Sequence, residues 1–161
     1  LGSVNGYSDG TFRPDGTVTR AEFITMLMKS LVKTGNAELA GSNTFADVKG
    51  HWAENYIAAA VDRGIVNGLS SDVFAPDAKI TRQQMAVMIV NAMKFTTTNK
   101  GYAPSDAQTI ASWAKEATTI CAEHEIMSSD SRGNFRPNDT ATRAEAAVVL
   151  FRALKLKESV G

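Results

Sequence analysis

The chain has 161 residues, with 17 Lys and Arg against 17 Asp and Glu, so its formal net charge is zero. That balance argues against a general electrostatic grip on nucleic acid or acidic lipid, which needs a basic excess. The length suits one compact unit with a sizeable core, and no apolar run reaches the roughly 18–20 residues of a membrane span. No signal peptide leads the chain, although an exported and processed segment would lack one in any case. The one cysteine, Cys121, allows neither an internal disulfide nor a cysteine-based zinc site. Lying on a helical apolar stripe, it reads as a small buried hydrophobe.

Taken in order, the chain repeats itself. Val4–Glu22 aligns without a gap on Val66–Gln84, with Phe12 on Phe74, Pro14 on Pro76 and Arg20 on Arg82. The next copy runs from Trp52 on Trp113 to Arg82 on Arg143, again ungapped. A period of about 60 residues marks a repeat architecture in which each unit reads helix, loop, helix. Residues 1–34 are expected to form a partial first repeat without its front helix. Residues 45–95 and 102–156 form the second and third repeats, 35–44 and 96–101 are polar connectors, and 1–161 make one domain.

The front helix of the second unit carries Trp52, Ala53, Tyr56, Ile57, Ala60 and Val61 at the spacing of one helical face. The third unit repeats that stripe with Trp113, Ala114, Ala117, Cys121 and Ala122. Gly64 is placed to end the second unit's front helix, and Glu125 stands in that column in the third. A loop rich in Gly, Ser, Asn and Asp follows, made of turn formers. Its Phe-x-Pro is expected to plug the Phe into the core.

Each loop closes on the same junction: Thr19-Arg20-Ala21-Glu22, Thr81-Arg82-Gln83-Gln84 and Thr142-Arg143-Ala144-Glu145. Thr19, Thr81 and Thr142 are expected N-caps, and Glu22, Gln84 and Glu145 complete capping boxes, worth about 1 kcal/mol each. The back helices are apolar nearly all round, which belongs in the middle of a structure. The expected fold is therefore all-α, with helix-loop-helix repeats in a pseudo-threefold arrangement around a central three-helix bundle. Phe23, Ile24, Met26 and Leu27 of the first back helix then need a cover. The expectation is a truncated first repeat, or a neighbouring chain that supplies the missing helix by exchange in a homo-oligomer.

Capping does not explain Arg20, Arg82 and Arg143. A cation at the first helical position is mildly unfavourable, by about 0.3–1 kcal/mol, yet all three junctions place one there. Free backbone N–H groups plus a guanidinium would make an anion site suited to a carboxylate or phosphate. Equally, each arginine could pair with a lobe carboxylate such as Asp47 or Asp106. Sequence leaves both open.

Phe45-x-Asp47-Val48-x-x-His51-Trp52-Ala53, the Asn-Gly and Phe-x-Pro loop, and Thr-Arg-Ala-Glu together resemble S-layer homology domains. The resemblance covers essentially the whole chain apart from the connectors. It implies three tandem units folded as an all-helical pseudo-trimer, anchoring an exported protein to a bacterial cell wall. The implied partner is a secondary cell wall polysaccharide, commonly bearing a pyruvate ketal and bound in grooves between units. Carried over by position, Arg20, Arg82 and Arg143 would pair with the ketal carboxylate, and Trp52 and Trp113 would pack on a pyranose face or in the core. Gly6 and Gly68 would let sugar approach the backbone, and Asp47 joins the carbohydrate-binding set. Ser129 takes the glycine column in the third unit, which implies an altered groove, and Gln83-Gln84 removes a negative charge near Arg82.

A calcium loop fails on spacing. An EF-hand needs an acid at position one and Glu at twelve, but counting back from Glu22 gives Thr11. His51 and His124 fall in different units, and no nucleophile elbow, zincin motif or phosphate loop occurs. The chain is therefore not read as an enzyme, and no metal or cofactor is assigned. The rival to sugar binding is a protein–protein module of a surface lattice, in which the arginines would be buried against carboxylates instead of facing open grooves.

Overall fold

A computed structural model describes residues 16–33, 39 and 41–160. It contains five α-helices: α1 (Arg20–Lys33), α2 (Glu54–Asp62), α3 (Arg82–Met93), α4 (Lys115–Glu123) and α5 (Arg143–Val160). Short 3-10 turns at Ala107–Thr109 and Ser112–Ala114 lead into α4. Among the described residues no strand forms, so the fold is all-α.

The back helices α1, α3 and α5 start at the three Thr-Arg junctions, and those junctions hydrogen-bond to one another in a closed ring. The Val18 N–H donates to Ala141 O at 3.2 Å, Ala141 to Ile80 O at 3.0 Å, and Ile80 to Val18 O at 2.9 Å. A second ring closes outside it, with Arg20 N–H donating to Ala78 O, Arg82 to Asp139 O and Arg143 to Gly16 O, at 2.8–2.9 Å. Backbone groups that would otherwise be buried unpaired are satisfied there. Val18, Ile80 and Ala141 are all fully buried at this hub.

The helices pack α1 on α2, α3 on α4, α3 on α5 and α1 on α3. The front helix of each described repeat thus covers the back helix of the repeat before it. This corrects the expectation about the first repeat. Phe23, Ile24, Met26 and Leu27 are buried within this chain, because α2 of the second repeat lies over α1. It is the last back helix that stays open. Val148 and Phe151 of α5 are each 45 % exposed, whereas Met28, in the α1 column of Phe151, is fully buried and Val90, in the α3 column, is partly buried. An apolar sequence on all sides was read as a central position for all three helices; α5 is apolar there without being covered.

Loop anchors are repeated as well. Phe74 and Phe135 of the Phe-x-Pro segments are fully buried. Asp47 accepts the N–H groups of Phe74 (3.0 Å) and Ala75 (2.8 Å), and Asp106 accepts those of Phe135 (2.8 Å) and Arg136 (2.8 Å). Both residues before the proline are left-handed, Ala75 at φ 60° and Arg136 at φ 58°. That conformation costs non-glycine residues about 1–2 kcal/mol, and the aspartate bonds offset it. Gly64 (φ 71°) and Glu125 (φ 58°) both leave their front helices left-handed.

Candidate functional site

The capping boxes come first, because they set where the arginines point. Glu22 N–H donates to Thr19 Oγ1 and Thr19 N–H to Glu22 Oε1, both at 3.0 Å. Thr81 and Gln84 exchange the same pair at 3.0 and 3.3 Å. Glu145 N–H reaches Thr142 Oγ1 at 3.1 Å.

With the third N–H capped, the first two are taken by the neighbouring repeat. Ala21 N–H donates to Pro76 O and Gln83 N–H to Pro137 O, next to the Arg20 and Arg82 bonds of the ring. The anion seat built from free helix-start N–H groups is therefore absent at α1 and α3. What remains for a ligand is the guanidinium.

All three guanidinium groups are buried, and each reaches across to another repeat. Arg82 makes three such bonds. Its Nε donates to Phe135 O (2.9 Å), Nη2 to Ser128 O (2.9 Å) and Nη1 to Glu145 Oε2 (3.2 Å), and it lies 5.0 Å from the Phe135 ring centroid. Arg143 donates through Nη1 to Glu22 Oε2, also at 3.2 Å. At the two junctions that have an N3 acid, that acid thus pairs with the arginine of the junction before it in the ring. Neither Asp47 nor Asp106 is that partner, since both hold loop backbone.

Arg20 closes the circle against Gln84. Its Nε donates to Phe74 O at 3.1 Å and Nη2 reaches Asn67 O at 3.5 Å, with the guanidinium 4.5 Å from the Phe74 ring centroid. Among the described residues no carboxylate lies within ion-pair distance of it. Burial pulls its pKa below the ordinary guanidinium value and Asp47 works against that; the group stays charged at neutral pH. The sequence assigned the charge lost at Gln84 to Arg82. The structure assigns it to Arg20, because Arg82 takes its acid from Glu145.

Arg20 opens into a groove of about 490 Å³ beside α3, lined also by Asn67, Gly68, Gln84, Asn91 and Trp113. Three repeats contribute: the arginine from the first, the loop and helix from the second, and the tryptophan from the third. Trp113 is 59 % exposed and Trp52 61 %. Neither packs in the core, so their place on the apolar stripe was misread. Both precede the regular turns of their helices, where periodicity no longer dictates the face.

A second groove, of about 590 Å³, is lined by Tyr102, Glu125, Ser128, Ser129 and Arg152. Here the glycine column differs for a packing reason. A Cβ on Gly68 would stand 2.2 Å from Phe45 Cε1, so glycine is there to seat a ring and not only to admit a ligand. In the third repeat Tyr102 replaces Phe45, and its hydroxyl hydrogen-bonds Ser129 Oγ. Gly6 and the first repeat's loop lie outside the described residues.

The remaining polar candidates hold structure together. His51 accepts the Ala53 N–H at 3.0 Å and faces Asp77 at 2.8 Å, and His124 donates to Thr96 O at 2.9 Å. Cys121 is buried against Ala86 O, which pushes its thiol up to about 12. Sequence reasoning missed Asn67, Gln84 and Asn91 as groove residues; the Thr-Arg-Gln-Gln departure was the one signal for Gln84.

The family model for the S-layer homology domain matches residues 1–24, 44–86 and 105–147. Among curated proteins, the chain is 34 % identical over 158 residues to "Exoglucanase XynX" of Acetivibrio thermocellus, covering 94 % of this chain and 14 % of that protein. It is also 34 % identical over 158 residues to the "Surface-layer 125 kDa protein" of Lysinibacillus sphaericus, covering 96 % and 13 %. A "Cellulosome-anchoring protein" of Acetivibrio thermocellus is 38 % identical over 91 residues, covering 55 % and 20 %. The chain therefore spans about one seventh of the first two relatives. No helix among the described residues is long and apolar enough to cross a membrane.

Proposed function

The chain belongs to the S-layer homology family, and from that premise we propose that it anchors an exported protein non-covalently to a bacterial cell envelope by binding an anionic, pyruvylated secondary cell wall polysaccharide. One observation carries the reading: a buried guanidinium and an exposed indole line the same groove. A pyranose with a pyruvate ketal offers the complementary pair, an apolar ring face for Trp113 and a carboxylate for Arg20. The surface-layer and cellulosome-anchoring names of the relatives are in keeping with this. In a relative named as a glucanase, the small fraction that this chain covers would be the anchor and the catalyst would lie elsewhere.

The closed ring of junctions supports a pseudo-threefold arrangement of units. In such an arrangement a front helix of the first repeat would sit on the open face of α5 around Val148 and Phe151, supplied by a further stretch of chain or by exchange with a second copy. Sedimentation tests the exchange: a dimer is expected to fall apart on Phe151→Glu, and a strictly monomeric chain would rule exchange out.

The second reading is a protein–protein assembly module. The ion pairs of Arg82 with Glu145 and Arg143 with Glu22 favour it at those two junctions, but Arg20 has no such pair among the described residues. Calorimetric titration with a methyl glycoside of pyruvylated ManNAc, beside the same sugar without its ketal, separates the readings. Binding of the pyruvylated form alone is the expected result. Binding of neither would favour assembly.

A further inference from the structure

The three junction arginines are chemically identical and differ in what faces them. Arg82 and Arg143 each meet the N3 glutamate of the next junction at 3.2 Å. Arg20 shares its groove with Gln84, the residue in the corresponding column. Gln84 Oε1 is committed to the Thr81 N–H, so its amide can cap the helix but cannot neutralise a cation. The Nη1 of Arg82 donates to Glu145, while the Nη1 of Arg20 has no protein acceptor among the described residues. No described side-chain nitrogen or oxygen is both buried and unpaired, so that Nη1 reaches groove solvent. It is a charged donor without an acid beside it, on a residue that lines the groove.

We infer that Gln84 determines which junction reads charge, by leaving Arg20 as the one un-neutralised guanidinium at a junction with both walls described, so that the anionic group of the ligand is taken in the Arg20 groove and not at Arg82. The inference rests on the proposed function for the identity of the ligand. It adds the residue that selects a carboxylate-bearing sugar over its uncharged counterpart, and it separates two junctions that share an arginine. At Arg82, Glu145 already takes the Nη1 donor that an incoming carboxylate would use. A ligand there would have to displace a hydrogen-bonded ion pair and bring a second negative charge to Glu145.

The test is Gln84→Glu in the intact chain, titrated with the methyl glycoside of pyruvylated ManNAc. Glutamate completes the capping box at Glu22, so the fold should survive, and a thermal melt checks this. Binding is expected to weaken at least tenfold, while Arg82→Gln changes affinity less than twofold. If Gln84→Glu binds as tightly as the unaltered chain, the inference is overturned although the proposed function stands. If Arg82→Gln abolishes binding and Gln84→Glu does not, the assignment of the groove is likewise overturned. An unaltered chain that ignores the pyruvylated glycoside overturns the proposed function and the inference together. Should Arg82→Gln prove unstable, Glu145→Gln serves instead: it keeps the cap, as Gln84 does, and is expected to leave the Arg20 affinity unchanged.

Discussion

Arg20 and Arg82 occupy the same position of the repeated Thr-Arg junction and end in different states. Arg82 is locked by two carbonyl oxygens at 2.9 Å and a carboxylate at 3.2 Å. Arg20 makes the two carbonyl contacts at 3.1 and 3.5 Å and has no acid within ion-pair distance among the described residues. The floors of the two grooves differ in step, with Phe45 against Gly68 in one and Tyr102 against Ser129 in the other. On the helix side Asn91 donates to Ile65 O at 3.2 Å, and its counterpart Arg152 lies exposed beside Glu125. A groove in this chain is therefore defined by what the neighbouring repeats offer to a shared residue. One arginine is a strut; the other is the proposed receptor.

Truncating the two arginines should separate those roles most widely. Arg82→Ala leaves Phe135 O and Ser128 O without their donor and strands Glu145, so a loss of about 2–4 kcal/mol is expected. Arg20→Ala should cost roughly half that in a denaturant melt but abolish binding of the pyruvylated glycoside. Equal losses of stability would erase the contrast. Next in size is Gly68→Ala. Its Cβ collides with the Phe45 ring, and about 1–3 kcal/mol of destabilisation is expected. Combining it with Phe45→Leu should recover much of that, which a melt of the double variant checks.

A smaller effect is expected at the helix exits. Glu125 holds a left-handed conformation that Gly64 adopts without strain, so Glu125→Gly should stabilise the third repeat by about 1 kcal/mol. The reverse change, Gly64→Ala, should destabilise the second by a similar amount.

The mildest probe is pH. Asp47 is held below the usual carboxylate range, chiefly by the Phe74 N–H, with Ala75 and Arg20 adding to it and desolvation opposing. Glu123 is lowered chiefly by the Thr98 N–H, and Asp130 chiefly by the Asn134 N–H. Groups with depressed folded pKa values stabilise the fold above their unfolded values, near 4, and lose that contribution as pH falls through the folded ones. The melting temperature should be level from neutral pH down to about 5 and decline below 4. Asp47→Asn should flatten part of that decline.

Much of the fold was legible because its signals are local. A Thr followed three residues later by Glu or Gln sets a helix start whatever surrounds it, and the burial of Phe74 and Phe135 followed from their place between turn formers. What sequence could not convey is which repeat lies against which. Arg82 and Glu145 are 63 residues apart, and Arg143 and Glu22 are 121 apart; no periodicity reports such pairs. The same blindness sent the lost charge of Gln84 to the wrong arginine and sought a cover for α1 that α2 already provides. Trp52 and Trp113 were misread because the helical stripe was extended one step beyond the regular helix. The loop aspartates were read as partners for arginine, but backbone N–H groups at a left-handed turn compete for a carboxylate and win.

The most direct test of the account is a crystal structure of the domain with the methyl glycoside of pyruvylated ManNAc. The ketal carboxylate is expected against Nη1 of Arg20, between Gln84 and Trp113, with the Arg82–Glu145 pair undisturbed. A ligand carboxylate seated on Arg82 with Glu145 displaced, or a sugar bound away from both grooves, would contradict it.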